Sequence, residues 1–143
     1  MYTDARTIFS DAQVVAGTDE TVNATNVIDL GLVPTLKSLG FDQCYVNIAL
    51  AVADSAAAGG AVEIQIVSSA AAALPSATIH WTSGALDASA APLLAGQLVD
   101  CVPLPVGARY MRYLGVLYVI AGEVADMQFN AHVTPHSVVN THY

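Results

Sequence analysis

The chain has 143 residues and a formal net charge of −8, because twelve acidic residues outnumber four basic ones. A surface this negative repels phosphate backbones, so nucleic acid is excluded as an expected partner. No stretch approaches the roughly 20 continuous apolar residues of a membrane helix, so no membrane partner is expected either. The length suits one domain, residues 1–143, whose core needs no disulfide or metal.

Alternation of apolar and polar residues with period two, the pattern of a half-buried strand, dominates the chain. Residues 25–31 are predicted as the first strand of a sandwich. Val27, Ile28 and Leu30 would supply core side chains, and Gly31 would form the exit turn.

Two further strands alternate clearly. In residues 44–54 the even positions are apolar until Asp54, and residues 62–66 place apolar side chains at every second position. Small residues ending in glycine connect the two segments. We therefore predict that they pair as an antiparallel hairpin.

The middle of the chain alternates between strand and loop signals. Residues 77–82 are rich in β-branched and aromatic side chains and are predicted as a strand. Residues 83–96 consist mainly of Ser, Ala, Gly and Pro and are predicted as a long loop. A strand returns over residues 97–102 and is broken by residues 103–107, because proline cannot donate to a ladder and glycine permits a sharp turn.

The strongest strand signals lie in the C-terminal third. Residues 109–120 form a near-continuous apolar run, which predicts burial on both faces or a face covered by another subunit. Residues 123–134 alternate, and the side chains predicted to face inward are Ala125, Met127, Phe129, Ala131 and Val133. The count reaches about eight antiparallel strands, which indicates an all-β sandwich or barrel. Residues 137–143 are predicted as a peripheral tail.

No catalytic, cofactor-binding or metal site is predicted, and we expect that the protein is not an enzyme. His132 and His136 are four residues apart, but Pro135 and the period-two pattern place them on a strand entering a turn rather than on one helix face. Cys44 and Cys101 are predicted as buried, inert thiols, because neither has a flanking basic residue. A disulfide between them stays open at this stage.

Three blocks of the sequence carry a family resemblance. They are Phe9-Ser10-Asp11-Ala12-Gln13-Val14-Val15, Thr25-Asn26-Val27-Ile28-Asp29-Leu30-Gly31, and the proline-glycine turn with its arginine-tyrosine segment at residues 102–113. In this order the blocks resemble the Bbp16-type capsid cement (decoration) proteins of tailed bacteriophages. The first two blocks are specific in combination, whereas the third alone would be weak.

The resemblance implies a jelly-roll-like antiparallel β-sandwich that assembles as a homo-oligomer on the outside of the capsid. A homodimer is favoured, and a homotrimer is the alternative. Such a protein binds the major capsid protein and bridges and stabilises neighbouring copies of it. We expect synthesis in the host cytoplasm, since the first residues lack the basic region and apolar core of a signal peptide, and a final location on the virion exterior.

Residues 1–15 are the candidate docking arm, because their mixed side chains have no obvious core partner and suit an arm or edge strand. The capsid-contact candidates are Tyr2, Arg6, Phe9, Asp11 and Gln13. Deleting residues 1–12 is expected to leave the domain folded and to abolish capsid binding.

The start of the strand predicted over residues 109–120 is the candidate self-association surface, because Arg and Tyr are enriched at binding hot spots. The candidates are Arg109, Tyr110, Arg112 and Tyr113. An equally weighted interpretation is that Arg109 covers apolar surface with its stem while Arg112 pairs with an acid.

A carbohydrate-binding jelly roll for host attachment is the alternative function. It requires exposed aromatic side chains beside a groove with paired carboxylates or amides, for which Trp81 and Tyr2 are the candidates. A cupin-like enzyme is disfavoured because the chain contains no His-x-His pair.

Overall fold

The computed structural model describes residues 7–32, 34, 43–54, 59–88 and 96–135. These residues form nine β-strands and no α-helix, which confirms the predicted all-β class. The strands are β1 Ile8–Thr18, β2 Thr21–Asn23, β3 Ile28–Asp29, β4 Tyr45–Val52, β5 Ala61–Ser69, β6 Thr78–Asp87, β7 Leu98–Pro103, β8 Tyr113–Ala121 and β9 Glu123–Thr134. No helix among the described residues is long and apolar enough to cross a membrane.

The strands form two antiparallel sheets in jelly-roll order. Sheet A has the order β1-β9-β4-β7, and sheet B has the order β2-β8-β5-β6 with β3 also paired to β8. Strands β2 and β3 both pair with β8, one after the other along its length. Together they therefore occupy one of the eight strand positions. The pairs β1 with β9, β2 and β3 with β8, β4 with β7, and β5 with β6 nest inside one another, as in a rolled-up double sheet.

The core lies between the sheets and follows the predicted alternation. Val46, Ile48 and Leu50 of β4 are wholly buried, and the inward side chains of β9 include Met127 and Phe129. Strands β8 and β9 are central in their sheets, and the Tyr118 and Phe129 rings stack across the core with centroids 5.2 Å apart. Each such aliphatic or aromatic side chain contributes about 1.5–3 kcal/mol on burial.

The predicted hairpin between residues 44–54 and 62–66 is wrong. Strand β4 pairs with β7 and β9 in sheet A, whereas β5 pairs with β6 and β8 in sheet B. The intervening segment therefore carries the chain from one sheet to the other. Alternation shows that each strand has one buried face. It does not show which sheet the strand belongs to, because both sheets of a sandwich bury one face against the same core.

Several predicted boundaries move. Strand β6 continues to Asp87 through a register shift near Gly84, whose φ is +70°, so the predicted loop over residues 83–96 is shorter, and residues 89–95 lie outside the described part. Strand β8 begins at Tyr113, four residues later than predicted from 109. In β9, Val124 is buried and Ala125 is exposed, so the predicted inward position of Ala125 is wrong.

The first sandwich strand is β1 rather than residues 25–31. Within the second block, Ile28 and Leu30 are core residues as predicted, while Val27 is only half-buried. Gly31 does form the turn, with a φ of +86°.

The outer face of β8 is covered in part by the chain itself. Leu74, in the connection between β5 and β6, lies over Gly115, where an added Cβ would stand 2.5 Å from the leucine Cδ1. Leu117 and Val119 on the same face are half-buried. The chain's own connection therefore accounts for part of the apolar run that predicted a second covered face.

The two cysteines are thiols on opposite faces of sheet A. Cys44 is wholly buried and faces the core, whereas Cys101 is half-buried and pairs in register with Asn47 on the outer face. A disulfide would need both side chains on one side of the sheet. Prediction of a buried thiol is thus confirmed for Cys44 and wrong for Cys101.

Candidate binding surfaces

The predicted docking arm is largely a strand of the sandwich. Phe9 is wholly buried in the core, so its prediction as a capsid contact is wrong. Residues 8–15 belong to β1, which lies at the edge of sheet A among the described strands, as the edge-strand alternative predicted. Tyr2 and Arg6 lie outside the described residues, as does the predicted tail over 137–143.

The free edge of β1 is interrupted by a bulge. The register against β9 shifts between Ser10 and Gln13, and Ala12 has a φ of +45°. The Ala12 amide donates to the Asn130 side-chain oxygen at 2.6 Å instead of a regular ladder partner. Bulges of this kind hinder addition of a further strand, so Asp11, exposed on the bulge, would contact a partner through its side chain.

Gln13 is occupied inside the molecule rather than displayed outward. Its Oε1 accepts from the Ser10 hydroxyl at 2.8 Å and from the Thr25 amide at 2.7 Å, and its Nε2 donates to the Asn23 carbonyl at 2.8 Å. Ser10 is buried and also contacts the Tyr118 hydroxyl at 2.8 Å. Because Ser10 donates to Gln13, the buried Tyr118 hydroxyl donates to Ser10.

These contacts tie the first block to the second and connect the two sheets. Ser10 lies in β1 of sheet A, and Tyr118 lies in β8 of sheet B. The Asn26 amide adds a backbone bond to the Phe9 carbonyl at 3.0 Å. The pairing with β8 is thus interrupted between β2 and β3, and there the chain bonds to β1 instead.

The second block is joined to the third by an ion pair. Arg112 donates from Nε and a terminal nitrogen to the two Asp29 oxygens, at 2.9 and 2.8 Å. These bonds, with a further one from the Gly31 amide, lower the pKa of Asp29 to about 2. The Leu30 amide also donates to the Arg112 carbonyl at 2.7 Å. The interpretation that Arg112 pairs with an acid is confirmed.

Tyr110 is wrong as a self-association contact, because it is only 5 % exposed. Its hydroxyl donates to the Pro105 carbonyl at 2.7 Å, and its ring lies 4.6 Å from the His80 ring. Burial raises the pKa of Tyr110 to about 12, so the hydroxyl stays protonated and holds the turn. Arg109 is exposed, and Tyr113 is half-buried beneath the Arg112 guanidinium.

The second block of sequence thus contacts both the first and the third, although the first and third are separated by almost a hundred residues. The family model of Bbp16 matches residues 9–133 and includes all three. The chain belongs to the Bbp16 family. This is a family of phage structural proteins, so the chain is a phage virion protein. A search of curated proteins finds no match.

The first and third Bbp16 blocks were predicted as contact surfaces, whereas in the structure residues of all three blocks hold the sandwich together. The residues that carry this role and that the sequence did not single out are Ser10 and Asp29. No sequence signal distinguishes Ser10 and Asp29 from surface residues, because a half-buried strand contains polar residues at alternate positions in any case. The partners of such residues cannot be read from one sequence.

A shallow cleft of about 200 Å³ opens beside the β1 bulge of this Bbp16-family chain. The described residues that line it are Ile8, Ser10, Asp11, Asn130 and His132. None of them is Trp, Tyr or Phe, and Trp81, the candidate for sugar stacking, packs against the core. The pairing of aromatic and carboxylate that carbohydrate binding requires is therefore not assembled by these residues.

In that cleft the described residues offer His132 one possible carboxylate co-ligand for a metal, Asp11. Burial lowers the pKa of His132, which favours the neutral ring. His136, four residues further along the chain, lies outside the described residues. No group of three or more His, Cys, Asp or Glu side chains suited to a metal ion occurs within the described ranges.

Charge is distributed unequally between the two ends of the Bbp16 sandwich. We call the end where β8 finishes the acidic end; its carboxylates are Asp19, Glu20, Asp54, Asp87, Glu123 and Asp126. We call the end where β8 begins the arginine end, since both described arginines lie there. With strands rising about 3.3 Å per residue, the nine-residue β8 separates the ends by about 30 Å.

Replacing Gln13 by alanine should lower the free energy of unfolding by about 1–2 kcal/mol, because three hydrogen bonds at the meeting point of the blocks are lost. Urea unfolding followed by circular dichroism measures it. Gln65→Ala is the matched control, because the Gln65 amide donates only to Glu63 on its own strand. Equal stability losses in the two variants would contradict the role of Gln13.

Proposed function

We propose that this protein is a capsid cement protein, bound to the exterior of the phage head, where it bridges neighbouring major capsid proteins and stabilises the shell. The observation that carries the proposal is the Bbp16 family match over residues 9–133, together with the three blocks that resemble cement proteins. The proposed role is structural and requires no catalytic step.

The fold supports a role as rigid reinforcement. A buried hydrogen bond between Ser10 and Tyr118 joins the two sheets, and the edge of β1 carries a bulge that hinders the addition of a further strand. A rigid domain loses little conformational entropy on docking. Each copy needs only a modest interface, because many copies act together on a closed lattice.

We also propose self-association, with a homodimer favoured over a homotrimer. Arg109, Arg112 and Tyr113 remain the candidates, because all three side chains are exposed or half-buried at the arginine end. Light scattering coupled to gel filtration measures the mass of the isolated chain. A mass of one chain at every concentration would contradict self-association, and a mass of three chains would replace the dimer by the trimer.

The test of the cement role uses shells assembled from the major capsid protein of the virus that encodes this chain. Purified wild-type protein should sediment with these shells and raise the temperature at which they disrupt. Shells from an unrelated phage are the control and should bind none. If the shells neither bind the protein nor gain stability, the cement role is wrong; glycan binding by the isolated protein would then favour the carbohydrate-binding alternative.

A further inference from the structure

His80 is a half-buried histidine whose position is set by a bulge in β6. The register of β6 against β5 skips His80, which is therefore the extra residue of the bulge. A bulge re-aims a side chain, and the His80 ring lies beside two buried groups. They are the Ser68 hydroxyl of β5, 2.8 Å from the ring Nε2, and the Tyr110 ring, whose centroid is 4.6 Å away. The histidine thus lies between sheet B and the link from β7 to β8, residues 104–112.

The hydrogen bonds of Ser68 determine which form of the His80 ring fits. Ser68 is wholly buried, and its Oγ accepts from the Met111 amide at 3.0 Å. The hydroxyl hydrogen of Ser68 therefore has one acceptor among the described residues, Nε2 of His80. A ring nitrogen that accepts carries no hydrogen, so the ring is neutral and holds its proton on Nδ1. Through Ser68, the ring is connected to the backbone of the link.

Protonation of His80 disrupts this arrangement. An imidazolium donates from both nitrogens, so Nε2 would donate to the Ser68 Oγ, which already accepts from Met111. The hydroxyl hydrogen of Ser68 would then lack an acceptor in a wholly buried position, which is costly. The cost is relieved when the ring or the Met111 amide moves away from Ser68.

The groups that face the ring do not favour its charged form. Burial lowers the pKa of His80. Tyr110 is neutral, because burial raises its pKa to about 12, and burial likewise raises the pKa of the nearby Cys44 thiol. The Tyr110 ring attracts a cation, which acts against burial and reduces the size of the shift.

Charged side chains on the elements around the ring are engaged with other partners or exposed, and none of them contributes to the lowered pKa of His80. They are Glu63 of β5, which accepts from Gln65 and Thr82, Arg109 of the link, which is exposed, Arg112 of the link, which pairs with Asp29, and Asp87 at the far end of β6, which is exposed.

We propose that His80 is an acid-sensitive latch, which in its neutral form holds the link from β7 to β8 against β5 and releases the link when the ring is protonated. The latch is a property of the chain itself and does not depend on the cement role. Because the closed form favours the neutral ring, the latch holds fully above about pH 6.5, the ordinary pKa of histidine, and weakens as the pH falls below that value. Asp29 and Glu63, whose pKa values are lowered, lose their stabilising contribution only in more acidic solution.

The test follows hydrogen exchange of the Met111 amide by NMR at pH 7 and pH 5. After correction for the intrinsic pH dependence of exchange, its protection should fall in acid. The fall should approach a factor of about ten for each unit by which the pKa of His80 lies below the ordinary value. Amides within the ladder of β5 and β8, such as that of Leu117 opposite Gln65, should keep their protection.

Two variants assign the acid response to one histidine. His80→Gln offers a carbonyl that accepts from Ser68 and does not titrate, so the Met111 amide should be equally protected at both pH values. His132→Gln is the matched control, because burial also lowers the pKa of His132, which lies on β9 in sheet A. In this control, protection of the Met111 amide should fall in acid as in the wild type.

Nitrogen chemical shifts of the wild-type His80 ring test the latch without any substitution. At pH 7 the ring should carry its proton on Nδ1, and it should titrate below the ordinary pKa of histidine. A proton on Nε2 at pH 7, a pKa at or above the ordinary value, or constant protection of the Met111 amide down to pH 5 would overturn the inference. So would an acid response that survives in His80→Gln or disappears in His132→Gln. The cement role stands or falls separately, because no capsid shell enters these measurements.

Discussion

Replacing Phe9 by alanine should lower the free energy of unfolding by about 3–5 kcal/mol, the range for removing a buried aromatic side chain. Phe9 is wholly buried, and β1 pairs with β9, the central strand of sheet A. A cavity there would be lined by core side chains that are fixed on other strands and can fill it only in part. Urea unfolding followed by circular dichroism measures the change.

Val14 provides the control on the same strand. It is 53 % exposed, so Val14→Ala should cost less than about 1 kcal/mol. If Phe9→Ala were as stable as the wild type and lost only capsid binding, Phe9 would be a contact after all, and the burial of its side chain in the structure would be wrong.

The burial of Phe9 changes how a deletion of residues 1–12 must be interpreted. The sequence predicted that deleting residues 1–12 would leave a folded domain without capsid binding. The deletion removes Phe9 and the buried Ser10, together with the first half of the β1 ladder. Loss of binding by such a truncated chain would report loss of the fold. Point substitutions of exposed residues such as Asp11, which leave the core intact, separate the two effects.

Most of the strands could be predicted from the sequence, because a strand with one buried face alternates apolar and polar residues with a period of two. The alternation in residues 44–54 placed Val46, Ile48 and Leu50 in the core, where they are wholly buried. It could not place strands in sheets, because inward-facing side chains of either sheet enter the same core. Jelly-roll order came from the family resemblance, and the nested pairing confirms it.

The candidate contacts were less predictable, since hot-spot composition and buried polar networks use the same residues. Arg and Tyr are enriched at interfaces, yet Tyr110 hydrogen-bonds within the molecule, as does Gln13, another contact candidate. By contrast Val106 stands at the tip of a Pro-x-Gly turn, where exposure follows from the turn itself. The Pro-x-Gly turn thus indicates an exposed surface more reliably than the presence of tyrosine or glutamine does.

Gly60→Ala should destabilise the protein by about 1–3 kcal/mol or more, because the position has no room for a methyl group. A Cβ at Gly60 would collide with the Glu123 carbonyl and stand 2.6 Å from its carbon. Both are backbone atoms at the start of β9, so no side chain can turn away. Here the link from β4 to β5 and the link from β8 to β9 pass each other between the sheets.

Gly107→Ala is the matched control, since an added Cβ there meets nothing within 4 Å. Its effect on the free energy of unfolding should be below about 1 kcal/mol. The comparison also tests why the hairpin prediction failed. In a hairpin turn, glycine is needed for its backbone angles, whereas at Gly60 it is needed because two connections between the sheets approach closely. A tolerated Gly60→Ala would mean that the crossing is looser than the structure shows, and that the sheets can separate at the acidic end without loss of stability.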